Sequence, residues 1–112
     1  MTTTRQIDPQ SAVEEMWRIA PLLAKAKSER VYLEEYRKSL KSILMGKSME
    51  KTESGRERDA YSHPDYIAHL GALRDAVEEE EKMRWRMIAS QSSIEIWRSM
   101  ESSNRMIDRG AR

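Results

Sequence analysis

From Ser62 to about Met106 the chain carries no proline after Pro64 and one early glycine, Gly71. A stretch this long without a breaker reads as a single helix of roughly forty residues, on the order of 60 Å long. That far exceeds the globular mean of about 11–12 residues, so the helix needs apolar partners along its length. Its start is well marked: Ser62 can cap it, Pro64 fits the first turn, and Asp65 supplies the carboxylate of a capping box. Tyr66, Leu70, Leu73 and Val77 then recur at helical spacing as one stripe. The stripe breaks at Glu78, Glu79, Glu80 and Glu81. It resumes, rotated, with Trp85, Met87, Ile88, Ile94, Trp97 and Met100.

The rest of the chain is read as partners for that helix. Residues 1–7 form a loose tail, and Asp8-Pro9 opens a short helix over 9–20 with Val13, Met16, Trp17 and Ala20 on one face. Pro21 lacks a backbone donor and is expected to break or kink the chain. A second helix over 22–49 carries Leu22, Ala26, Glu29, Leu33, Tyr36, Leu40 and Ile43 in a coiled-coil repeat with one charged intruder, Glu29. The polar run 50–61, containing Gly55, reads as a loop, and 107–112 as a second tail. Folding back at the loop sets Leu40 near Leu73, Tyr36 near Val77 and Glu29 near Arg84, and brings Trp97 near Trp17. Glu29 and Arg84 would then form a polar layer that fixes register.

The expected fold is all-α: one domain, a long antiparallel coiled-coil-like helical hairpin with a short N-terminal helix. A composition of 35% charged and 38% hydrophobic residues, without phenylalanine, suits extended helices better than a sandwich or barrel. Trp85, Met87 and Ile96 lie off the intramolecular seam, and exposed large apolar residues mark an interface. They are the expected self-association surface of a homo-oligomeric bundle.

Charge is nearly balanced, 20 basic against 19 acidic, which argues against an acidic nucleic-acid mimic and against a global positive field. Zero cysteines excludes disulfides and cysteine-ligated zinc. No run of eighteen apolar residues and no signal-peptide core is visible, so a soluble protein is expected, with no membrane partner.

Candidate sites are few. Lys27, Arg30, Arg37, Lys38 and Lys41 lie near one helical stripe, in a segment (residues 21–49) with seven basic and three acidic side chains. Clustered cations could contact phosphates; the interleaved acids favour a solvated face laced by i,i+4 pairs such as Glu34–Lys38. The glutamate run spreads around its helix and makes no metal cage. His63 and His69 lack ligands at metal spacing, and the serines lack a base, so no catalytic residue, metal site or cofactor is expected. The tryptophans could stack bases, although their company of Met and Ile suits a core or interface.

Three stretches, AKAKSERVYLEEYRKSL (24–40), RERDAYSHPDYI (56–67) and VEEEEKMRWRMIASQSSIEIWRS (77–99), together about half the chain, resemble small helical proteins of tailed bacteriophages. The genes of that group often lie among early recombination and replication genes. The resemblance implies a phage-encoded accessory protein in the host cytoplasm, and no catalytic residue carries over. The expected function is non-enzymatic: binding DNA, a phage recombination or replication protein, or both. The alternatives are an inhibitor or adaptor docking on a host or defence protein without DNA, and a structural assembly component.

Overall fold

The computed structural model describes residues 6–110, which form three α-helices and no strand. Of the expected tails, 1–7 and 107–112, residues 1–5 and 111–112 lie outside the described residues, whereas 107–110 are helical, against expectation. Helix α1 runs Pro9–Lys47, α2 Glu53–Ser62 and α3 Pro64–Gly110. At the start of α1, Asp8 accepts from the Gln10 backbone N–H at 3.0 Å and from the Ser11 hydroxyl at 2.8 Å. These hydrogen bonds, that of the Ser11 side chain foremost, hold the Asp8 carboxyl below its ordinary range.

Three expectations are corrected. First, α1 is continuous through Pro21, so the helices expected over 9–20 and 22–49 are one helix, which ends at Lys47. The proline removes the hydrogen bond to the Trp17 carbonyl, but Pro21 and Trp17 are both exposed, so water can satisfy that carbonyl. Second, the polar run read as a loop contains α2. Thr52 caps it by accepting from the Gly55 N–H at 3.1 Å, Glu53 complements the first turn, and Ala60 is fully buried. Third, α3 begins at Pro64. A residue before proline is forced out of the helical region, and His63 is extended at φ −66°, ψ 137°. His63 Nδ1 accepts from the Asp65 N–H at 3.0 Å, which makes His63 the cap, while the Ser62 hydroxyl donates to the Arg58 carbonyl.

The chain divides into two compact units: Ala24–Glu81, and the chain up to Leu23 together with the chain from Lys82 onward. In the first, Leu40, Leu44, Ala60 and Tyr66 form the core cluster, with Met45 against it. His69 Nε2 donates to the Leu33 carbonyl at 2.7 Å; a carbonyl only accepts, so this nitrogen carries the proton. Tyr36, expected near Val77, lies beside His69, ring centroids 5.6 Å apart, about two helical turns earlier on α3. In the second unit Ile19 is the fully buried side chain and Ser90 is buried. Trp17, expected on the inner face, is 73% exposed.

The buried and half-buried positions of α1 include 16, 19, 23, 26, 30, 33, 37, 40 and 44; those of α3 include 66, 69, 73, 76, 80, 83, 87, 90, 94 and 97. Both rows alternate steps of three and four, the coiled-coil spacing. Ala26, Leu33 and Leu40 belong to the row expected from sequence. Leu22, Glu29, Tyr36 and Ile43 do not: all four are exposed, and the positions one residue later take their place.

Candidate nucleic-acid interface

That one-residue shift decides which charges are enclosed. Arg30 enters the row in place of Glu29. It binds Glu80 in a bidentate pair, Nη2 to Oε1 being 3.2 Å, and reaches Glu34 at 3.0 Å. Both side chains of the Arg30–Glu80 pair are mostly covered, with exposures of 23% and 16%. The hydrogen bond to Glu80, then that to Glu34, holds the guanidinium still further above its already high value. The polar layer within Ala24–Glu81 is therefore Arg30–Glu80; of the two residues expected to form it, Glu29 and Arg84, both are exposed, and the Arg84 guanidinium lies over the Trp85 ring at 5.5 Å. The stripe of α3 does not break at the glutamates, because Glu80 continues it.

The basic stripe divides accordingly. Lys27 is exposed, and Arg30 is engaged inside the row. Arg37, Lys38 and Lys41 converge with Tyr61 and Tyr66 around one pocket of about 270 Å³. The α1 residues come from adjoining turns, and the tyrosines from the end of α2 and the first turn of α3. Across the break at His63-Pro64 the two rings meet edge to face, centroids 5.3 Å apart at 76°.

The three cations differ in what they already hold. Lys41 donates to Glu57 at 2.8 Å and sits over the Tyr61 ring, 4.9 Å from its centre. Glu57, and then Tyr61, raises its pKa above the ordinary lysine value. Lys38 makes an exposed pair with Glu35 at 3.4 Å, an interaction of a kind worth little in water. Arg37 is half-buried and has no carboxylate within ion-pair distance among the described residues. A guanidinium covered in this way retains a planar fork of donors suited to phosphate.

The remaining site expectations are placed as follows. Trp85 and Ile96 are exposed at 60% and 52%, whereas Met87 is half-buried and belongs to the inner row of α3. Among the described residues no three His, Asp or Glu side chains gather to hold a metal ion. None of the described helices is long and apolar enough to cross a membrane. A second concavity, about 330 Å³, is lined in part by Ser11 and by Asp8 and Glu15, whose carboxylates are taken up by the helix cap and by Arg18 and Arg86.

Tyr61 and Tyr66 were not singled out for this site by sequence. The available signal was the row itself: placing Arg37 on it directs attention to what α2 and α3 bring opposite. Comparison with protein families, characterised proteins and solved structures gave no match.

Proposed function

We propose that this chain is a non-enzymatic helical binding protein that contacts DNA through the pocket of Arg37, Lys38 and Lys41. The observation that carries this reading is Arg37, a half-covered guanidinium without a carboxylate partner among the described residues, beside two further cations whose acidic partners are partly exposed. A phosphate placed there would satisfy it and release counterions. Phosphate contact also makes economical use of a chain with a near-zero net charge, because only the local field has to be positive.

The scaffold we propose is an antiparallel helical hairpin that self-associates into a bundle. The Leu33–His69 and Arg30–Glu80 contacts support the first part, since α1 positions running backward meet α3 positions running forward. Exposed Trp85 and Ile96 support the second. The resemblance to phage helical proteins supports a setting in the host cytoplasm, alongside a recombination or replication protein.

The test is fluorescence anisotropy of labelled DNA against wild type and Arg37→Gln. Binding that weakens with salt and with the substitution supports the reading. A competing adaptor function predicts something else: stoichiometric capture of one host protein, unchanged by nuclease, with no DNA binding. The exposed apolar side chains of α3, including Met100, Met106 and Ile107, favour keeping that second reading in the same experiment.

A further inference from the structure

Resting on the reading above and narrowing it, we infer that the ligand is a single-stranded nucleic acid, with a phosphate on Arg37 and Lys38 and a base stacked on Tyr61. The pocket is concave and small, about 270 Å³, at or below the lower end of ligand sites, which span roughly 300–1,000 Å³. It can admit one unstacked nucleotide. A duplex presents its phosphates on a convex surface and keeps its base faces stacked, so neither the recess nor the ring would be used.

Tyr61 has the properties of a stacking platform. Lys41 sits over its ring and Tyr66 stands nearly perpendicular to it, yet 46% of the residue remains exposed. These two contacts hold the ring in place before a ligand arrives, which lowers the ordering cost of binding. Cations tracking the backbone beside an aromatic face are the combination by which single strands are held without sequence preference. An anion-binding site for an acidic or phosphorylated peptide would need the cations but no exposed ring.

Anisotropy with short labelled oligo(dT), oligo(rU) and a duplex of equal phosphate count separates these cases, with circular dichroism confirming that each variant folds. Wild type is expected to bind one or both single strands more tightly than the duplex, and the two strands distinguish DNA from RNA as the source. Tyr61→Ser is expected to weaken single-strand binding about 5- to 150-fold, the range for loss of one base–aromatic stack. Tyr61→Phe keeps the ring and should retain it. Equal affinity for duplex and single strands, unmoved by Tyr61→Ser, overturns this inference while leaving nucleic-acid binding intact. No binding to any of the three, with an acidic peptide bound instead, overturns both. If Tyr61→Ser does not fold, photocrosslinking of the wild-type protein to iodouracil-substituted oligonucleotide decides the matter. An adduct on Tyr61 is expected, and adducts confined to other residues contradict the assignment.

Discussion

Arg30 shows how much turns on one position. Its long stem can lie along apolar neighbours while the guanidinium reaches Glu80 and Glu34. Glu29 has neither the reach nor the fork of donors. Alanine at either Arg30 or Glu80 removes the bidentate pair from a mostly covered place, so each single variant should lower the denaturant midpoint. The double variant should cost less than both losses combined; strictly additive losses would separate the two side chains. Leu40, in the core cluster, should lose about 2–5 kcal/mol on truncation to alanine, read from urea unfolding. Glu15 provides a pH test. Its hydrogen bond to Arg86, with a smaller contribution from the charge of Arg18, lowers its pKa from 4.5. A depressed folded value means stabilisation that is present above the unfolded pKa and lost as pH falls through the folded one. Glu15→Gln should therefore be less stable than wild type at pH 7, with the difference closing as the solution is acidified below 4.5. A difference that persisted unchanged into acid would rule out the ion pair as its cause.

At the scale of elements, the long helices were legible and their inner faces only half so. Ala26, Leu33 and Leu40 share a face whichever neighbouring position completes the row; Leu22 and Leu23, Glu29 and Arg30, and Ile43 and Leu44 are alike in character, and at the remaining place apolar character favoured Tyr36 over Arg37. A period of 3.6 cannot choose between the two flanks when the correct one is charged. The same bias hid α2, whose sole buried residue is Ala60, and with it the tyrosine side of the pocket. Gly55 looked like a loop residue but serves a close approach. A Cβ there would lie 2.9 Å from the Thr52 hydroxyl oxygen and 3.0 Å from Glu50 Cβ. Alanine normally gains about 0.8–1.0 kcal/mol over glycine inside a helix. At Gly71, where a Cβ meets nothing within 4 Å, that gain should appear as a raised midpoint. At Gly55 the methyl group should displace the cap, worth roughly 0.5–2 kcal/mol, and cancel or reverse the gain. Equal stabilisation at both glycines would show that the Thr52 cap contributes little.

For the whole molecule, the exposed apolar residues and the basic pocket make separate claims. Trp85→Ala and Ile96→Ala should reduce the sedimenting mass while helix content by circular dichroism is kept; the reverse result would remove both from the interface. Binding of nucleic acid is the central claim, and the slope of log affinity against log salt on a single strand tests it most directly. Each phosphate neutralised contributes about 0.7 to that slope. Wild type should lose affinity steeply with salt, and Arg37→Gln should flatten the slope by about 0.7, the signature of one lost phosphate contact. An identical slope for the variant, or affinity indifferent to salt, would contradict the account.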